Sequence, residues 1–262
     1  MNLQSKVGLI KPMLAKSSVP FNSENHIFEL KWDGTRCIVF IDRENVILQN
    51  RRLINVTYRY PEFQQLKKYL KAKEAILDGE LVVLKEGLPS FEKLQQREHI
   101  EDEKRIKILS ELLPATYIVF DLLYIDGVFI MDRPLIERRE RLNRLFPLFE
   151  NVILSEIFFD GMGLFKKALK MGFEGIMAKE KKSPYLPGER SNYWLKIKKF
   201  FDLDAIICGY IEGEGTRRDY FGSLVLGVYD NKRLIHIGQV GTGIDEGTMK
   251  NLFNILKEKR TD

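Results

Sequence analysis

Residues 28–36 read Phe-Glu-Leu-Lys-Trp-Asp-Gly-Thr-Arg, and they constrain this chain more than any other stretch. Side chains on a β-strand alternate between its two faces. A strand through this stretch therefore sends Glu29 and Lys31, and with them Asp33, to one face, and Phe28 and Leu30 to the other. Gly34 permits a sharp turn directly after Asp33. A lysine held at a strand end, beside a glycine turn and between acids, has the makings of a covalent nucleophile toward phosphorus or carbonyl centres. Taken alone, the stretch favours a solvated strand edge, because Lys-x-Asp-Gly is short and recurs by chance. The rest of the chain shifts that balance.

At 262 residues the chain is long for one domain, and one large domain followed by one small domain is expected. Lysine and arginine number 42 against 37 acids, a formal charge of +5 that suits a polyanionic partner without demanding one. Cys37 and Cys208 each sit in an apolar strand-like run, which argues against a disulfide framework and predicts two core thiols in a reducing cytoplasm. His26, His99 and His236 do not pair at metal-ligand spacing, so any metal would be held by oxygen. The first sixteen residues show neither a signal peptide nor a membrane span, and cytoplasmic location is expected.

Residues 9–26 carry Pro and Ser punctuation and read as an irregular lead-in covering the Lys31 strand. Residues 37–42 and 46–49 suggest a hairpin ending in Asn50-Arg51-Arg52. Adjacent arginines just past a strand end are either solvated or placed to meet a phosphate or ribose, and both readings stand. Residues 61–70 read as a short helix. In the apolar strand 75–84, Asp78-Gly79-Glu80 places two carboxylates where they are costly unless a cation or hydroxyl meets them. The alternative is a Gly-centred bulge with exposed acids. Helical character is expected over 90–96, and a solvated helix or loop over 98–111.

Residues 115–127 form a long buried strand closing in a hairpin turn, with Phe120 either core or beneath a nucleobase. Asp132 and Pro134 open a structural helix whose apolar face carries Leu135, Leu142, Leu145 and Phe146. Residues 152–157 suggest a strand, and 163–171 a helix stopped by Gly172. Glu174 then stands at the start of another apolar strand. In Tyr193-Trp194-Leu195-Lys196-Ile197-Lys198, Leu195 and Ile197 face a core, so Trp194, Lys196 and Lys198 share the opposite face. Two like-charged lysines there repel each other unless an anion lies between them. After a hinge at 200–204, strands over 205–211, 221–229 and 233–240 and an amphipathic helix over 245–259 suggest a small oligonucleotide-binding barrel.

Assembled in this order, the motifs resemble the ATP-dependent DNA ligases of the covalent nucleotidyltransferase superfamily. Lys31-Trp32-Asp33-Gly34-Thr35-Arg36 resembles the first motif, Arg51 the arginine after it, and Asp78-Gly79-Glu80 the third. Phe120 matches the adenine-stacking position, Glu174-Gly175-Ile176-Met177 the fourth motif, and Trp194-Leu195-Lys196-Ile197-Lys198 the fifth. The likeness is closest to the bacterial and archaeal ligases that act with Ku in end joining.

The resemblance implies an α+β fold: an antiparallel-sheet adenylation (nucleotidyltransferase) domain over residues 1–200, followed by an OB-fold domain over 201–262. It implies that Lys31 attacks the α-phosphate of ATP, that AMP passes to the 5′-phosphate of a nick, and that the 3′-hydroxyl then displaces AMP. Glu29 would read the adenine amino group beside Leu30, with Phe120 stacked on the ring. Arg36, Arg51 and Glu80 would meet ribose or the nick phosphate, and Lys196 and Lys198 the α-phosphate. Glu80 and Glu174 would hold Mg²⁺ or Mn²⁺, and neighbouring cations would favour the neutral Lys31 amine. Arg52, Arg190, Arg217 and Arg218 would contact nucleic acid.

The implied partners are nicked double-stranded DNA and Ku or a polymerase domain. A monomer with no membrane association is expected. One departure stands out: the family's sixth motif has no counterpart before the chain stops. The OB-fold barrel is therefore expected to be C-terminally incomplete, with weak self-adenylylation from ATP and better-preserved sealing of pre-adenylated nicks. An RNA ligase or a GTP-using capping enzyme shares the Lys-x-Asp-Gly site, and a non-catalytic nucleic-acid-binding module needs only its cations.

Overall fold

The apolar runs pair with one another along most of their length. In the computed structural model, which describes residues 3–145, 151–199 and 203–259, the chain divides into two compact units, Met1–Lys199 and Phe200–Asp262. The strands of the first unit are β1 (Leu14–Ser17), β2 (His26–Leu30), β3 (Thr35–Ile41), β4 (Val46–Asn50), β5 (Ala75–Lys85), β6 (Leu88–Pro89), β7 (Ala115–Ile125), β8 (Val128–Phe129), β9 (Val152–Leu154), β10 (Gly175–Glu180) and β11 (Arg190–Lys198). Its α-helices are α1 (Leu66–Tyr69), α2 (Phe91–Gln95), α3 (Glu103–Leu112), α4 (Leu135–Leu145) and α5 (Gly161–Lys170).

Two sheets result. The smaller runs β1-β11-β10-β2, antiparallel except for the parallel β1–β11 edge. The larger runs β4-β3-β5-β7-β8, with β6 paired to β5 and β9 paired in parallel to β7. The long strands β5 and β7 are buried almost throughout because they have a core on each face. One core takes Val39, Leu77 and Val119 together with Tyr60, Phe63 and Leu142. The other takes the alternate residues Ile38, Phe40, Ile76 and Phe120 together with Met13, Tyr185 and Trp194. This second core joins the two sheets.

Several sequence expectations are refined. The lead-in is not merely irregular cover, because it supplies β1 at the edge beside β11. The helix expected over 61–70 is a 3₁₀ turn, Pro61–Gln65, continued by the single turn α1. Residues 98–111 hold all of α3 but its last residue, Leu112, and the helix is capped by the Asp102 side chain, which accepts from Arg105 N. Helix α5 begins two residues earlier than expected because Asp160 caps it. Of the expected α4 face, Leu135, Leu142 and Leu145 are buried, and Phe146 lies outside the described residues. Pairing of β9 ends at Leu154, short of the expected residue 157.

Charges are also buried, each beside a partner. Asp78 and Asp121 face each other in register across β5 and β7 and are both fully buried. Arg36 donates to both Asp78 oxygens at 2.6 Å, and Arg138 donates to both Asp121 oxygens at 2.8 Å. Two like charges can sit at adjacent positions inside a sheet because each is neutralised by a two-pronged guanidinium.

The second unit is a three-stranded antiparallel sheet, β12 (Ile206–Glu212), β13 (Phe221–Asp230) and β14 (Arg233–Val240), with α6 (Glu246–Glu258). Phe221, Leu224 and Met249 form its core, with Phe253 and Leu256 of α6 packed against them. Cys37 is buried as expected, but Cys208 is exposed. The β12–β13 register shifts between Ile207 and Gly209, and Ile207 packs against the core while the neighbouring thiol does not.

Removing one member of a buried pair leaves the other charge uncompensated. Asp121→Ala is expected to destabilise the protein by about 3–5 kcal/mol in urea unfolding, against less than about 0.5 kcal/mol for the exposed Arg218→Ala.

Candidate nucleotide-binding site

The register of the smaller sheet builds the site. Ile27, Lys179 and Trp194 form one row across β2, β10 and β11, and Glu29, Met177 and Lys196 form the next. Lys31 follows β2 by one residue, and its backbone N–H donates to the Gly175 carbonyl, which extends the ladder beside the Gly175–Lys198 pair. Because rows two residues apart share a face, Glu29, Lys31, Lys179, Trp194, Lys196 and Lys198 all point the same way. The intervening residues, Phe28, Ala178, Leu30, Ile176 and Ile197, pack on the other face against Leu164 and Ala168 of α5.

The charged face forms one wall of a cleft of about 630 Å³. That volume lies within the ordinary range for a small-molecule site. Arg36, Arg51, Arg52, Glu80 and Phe120 line the cleft from the larger sheet and its turns, and Arg190 lines it beside Ala15. The turn at Gly34 can approach the larger sheet because a Cβ there would stand 2.1 Å from the Leu81 carbonyl oxygen. Gly79 is likewise required, since a Cβ would lie 2.4 Å from the Tyr117 ring.

Each expected site residue now has a place. Lys31 donates to Glu174, and Lys198 donates to the other oxygen of the same carboxylate. Glu174 is thus an anion between Lys31 and Lys198, whereas the anion expected between Lys196 and Lys198 is not found among the described residues. Burial tends to raise its pKa, but the bonds from Lys198 and Lys31 together outweigh burial and hold it below the usual carboxylate value. Lys196 has no such bond. Burial first, and then Lys198, Arg190 and Lys31, lower its pKa. The cluster therefore carries uncompensated positive charge, which fits a phosphate chain.

Arg36 lines the cleft, but Asp78 occupies its Nε and Nη2, and Nη2 also donates to the Met13 carbonyl at 3.2 Å. Asp78 in turn accepts from the Tyr185 hydroxyl at 2.6 Å, so it faces neither sugar nor solvent. The β5–β7 register does shift between Asp78 and Gly79, yet Asp78 is buried and Glu80 half-buried rather than exposed. Glu80 lines the cleft, and its pKa is raised to about 7, chiefly by burial, with Arg36 and Lys31 opposing and Asp78 and Asp33 adding. Asp33, expected on the Lys31 face, is exposed and does not line the cleft. Arg51 and Arg52 are exposed on its rim. In the second unit, Arg217 donates to the Gly241 carbonyl and Arg218 is exposed.

Phe120 is 8 % exposed and stands edge-on to Trp194 at 6.0 Å between ring centres. Lys179 Nζ lies 4.1 Å from its ring centre and the Arg36 guanidinium 4.7 Å. Lys179 is a residue the sequence reading passed over. Its parity with Met177 on β10 was the available signal. It donates to Glu29 Oε2 at 2.8 Å, and burial lowers its pKa, with Glu29 opposing. Ser155 was also passed over; its hydroxyl donates to the same oxygen at 3.0 Å. Among the described residues, Glu29 Oε1 and the indole N–H groups of Trp32 and Trp194 are buried without a hydrogen-bond partner, and all three residues line the cleft. A ligand in the cleft would supply partners for them; Arg139 Nε, also buried and without a partner, belongs to a residue outside the cleft lining.

The cleft is a candidate nucleotide-binding site in which Lys31 shares one sheet face with Lys196 and Lys198. Residues 12–198 match the family model of the ATP dependent DNA ligase domain, and residues 217–262 match that of the ATP dependent DNA ligase C terminal region. The chain belongs to the ATP-dependent DNA ligase family. It is 33 % identical to a DNA ligase of Thermococcus fumicolans over 95 % of its own length and 47 % of that protein's. It is 34 % identical to the multifunctional non-homologous end joining protein LigD of Mycolicibacterium smegmatis over 96 % of its length and 32 % of that protein's. It thus spans about half, or a third, of these relatives. The ligase domain of M. tuberculosis LigD superposes with a TM-score of 0.63 at 31 % identity, covering 97 % of this chain and 80 % of that one. The matches place the first unit among mixed α+β nucleotidyltransferase domains, and the second unit is consistent with an OB-fold.

Glu80 generates a pH prediction. Its folded form keeps a proton up to about pH 7, whereas the unfolded side chain releases it near its ordinary value of 4.5. Between these limits the folded state binds more protons, so stability falls as pH rises through that window and levels off above it. Glu80→Gln is expected to raise stability at pH 8 by on the order of 1–2 kcal/mol, discounted for a half-buried group, and to change little at pH 4. Thermal melts at the two pH values check this.

Proposed function

We propose that this chain is the adenylating and strand-joining core of an ATP-dependent DNA ligase that seals 5′-phosphate/3′-hydroxyl nicks in double-stranded DNA. The observation that carries this reading is the placement of Lys31 in one sheet face with Lys196 and Lys198, opposite Phe120 and beside the buried Glu29.

In the first step the Lys31 amine attacks the α-phosphorus of ATP. A nitrogen–phosphorus bond forms, the bond to the β-phosphate oxygen breaks, and pyrophosphate leaves while the amine gives up a proton. Lys196 and Lys198 hold the phosphate oxygens on which charge develops. Glu174 bonds to both Lys31 and Lys198, so it is placed to receive the proton that the Lys31 amine gives up, and phosphate arriving at Lys198 draws Lys198 from Glu174 and rearranges the clasp. Two transfers follow: the DNA 5′-phosphate takes AMP from Lys31, and the 3′-hydroxyl then displaces AMP to form the phosphodiester.

No cluster of three or more metal-binding side chains occurs among the described residues. Mg²⁺, or Mn²⁺, nevertheless fits, because such an ion takes one or two carboxylates together with substrate phosphates and water. Glu80, whose burial disfavours its own charge, is the ready ligand, and Glu174 becomes one as its lysines turn to phosphate. The ion would offset charge on the phosphates. Arg51, Arg52 and Arg190 in the first unit, and Arg217 and Arg218 in the second, supply cations for the DNA backbone. The likeness to LigD favours an end-joining role, with Ku or a polymerase domain as partner.

Intact-protein mass after incubation with ATP and Mg²⁺ tests the chemistry. One AMP is expected on the parent and none on Lys31→Ala. A guanylyl adduct from GTP would indicate capping chemistry, and an adduct on the Lys31→Ala protein would overturn the assignment.

A further inference from the structure

Helix α4 reads from its apolar spacing as scaffold, yet its Arg139 is 2 % exposed and reaches Ser155 and Glu29 rather than solvent. Arg139 Nη2 donates to the Ser155 carbonyl, and the Ser155 backbone N–H donates to the Val119 carbonyl at 2.8 Å. Residue 155 is thus pinned on both sides directly after β9. Its hydroxyl donates to Glu29 Oε2, the oxygen that also receives Lys179. Arg139 Nη1 stands 3.9 Å from Glu29 Oε1, too far for a hydrogen bond. One carboxylate oxygen is therefore doubly occupied. The other is buried, acceptor-only and without a hydrogen-bond partner among the described residues. Neither Ser155 nor Arg139 lines the cleft, so both act through Glu29.

We propose that Ser155, held by Arg139, is a positioning residue that fixes the Glu29 carboxylate so that Oε1 selects a purine bearing an exocyclic amino group over one bearing a carbonyl. The proposal rests on the cleft being the nucleotide site. An amino-bearing ring such as adenine offers an N–H to Oε1. A guanine carbonyl at the same place would set acceptor against acceptor and leave both buried and unpaired, the situation that gives polar sites their strongest discrimination. Lys179 alone cannot enforce this, because a single ammonium on one oxygen lets the carboxylate rotate about its last bond. The second donor, from a pinned backbone, stops that rotation. A hydrogen bond to a charged group typically contributes about tenfold or more.

Equilibrium binding of ATP and of GTP without divalent metal, so that no adduct forms, tests this on the 262-residue chain by titration calorimetry. The parent is expected to prefer ATP. Ser155→Ala should narrow that preference by about tenfold or more, chiefly through weaker ATP binding, and Ser155→Thr, which keeps the hydroxyl, should retain it. If Ser155→Ala does not fold, Ser155→Cys takes its place, keeping the volume with a far weaker donor. An unchanged ratio, equal weakening of both nucleotides, equal loss in Ser155→Thr, or no preference in the parent would overturn the proposal. Glu29→Gln separates the levels. If it loses the preference while Ser155→Ala keeps it, only the role of Ser155 fails. If it too keeps the preference, Glu29 does not read the base.

Discussion

A carboxylate removed from water needs a cation or several donors, and the first unit of this protein is arranged around meeting that need three times. Asp78 takes Arg36, Asp121 takes Arg138, and Glu29 takes Lys179 and Ser155. The first two pairs are complete, with both oxygens of each acid bonded to one guanidinium. They hold β3, β5, β7 and α4 together and leave both acids fully satisfied. The third is incomplete by one oxygen, and that oxygen lies in a residue of the cleft wall. Structure and recognition are thus separated by whether a buried acid is fully or partly satisfied.

Cations show the same division. Arg36, although a cleft residue, is committed to Asp78, so its contribution to a nucleotide is mainly the shape of the wall around Phe120. Lys196 has only more distant charge to balance it, and its neighbours Lys198, Arg190 and Lys31 disfavour its own proton. Glu174 balances Lys31 and Lys198 by direct bonds. Lys31 and Lys198 thus share one carboxylate between two ammonium groups, and Lys196 has none bonded to it.

Much of this was legible in the sequence. Period two correctly grouped Trp194, Lys196 and Lys198 and put Leu195 and Ile197 on the opposite face, because β11 is a regular strand with a distinct core on each side. The Lys-x-Asp-Gly stretch was rightly given a strand and a turn, but Asp33 is exposed and off the cleft because the chain leaves the sheet after Lys31. What period two could not supply was the partner of each charge. Asp78 and Glu80 look alike along β5; only the fold shows that Tyr185 and Arg36 converge on one and leave the other facing the cleft. Arg97 is similar: it lies buried against Glu62 and the carbonyls of Arg59 and Leu113, contacts between distant segments that no local pattern announces. Ser155 escaped notice because a single serine after a short strand has no periodic signature, and Cys208 was misread because an apolar run does not say which of its residues face the core: Ile207 does and its neighbour Cys208 is exposed.

The claim on which everything else rests is that the sheet register makes Lys31, and no other lysine of the charged face, the group that bonds to phosphorus. Lys179, Lys196 and Lys198 share that face and could in principle accept AMP. Fragmentation mass spectrometry of peptides from the ATP-treated protein, handled at neutral to alkaline pH to preserve a phosphoramidate bond, decides between them. The adduct is expected on residue 31 alone. AMP found on Lys179, Lys196 or Lys198 would contradict the arrangement of nucleophile and phosphate clamp described above.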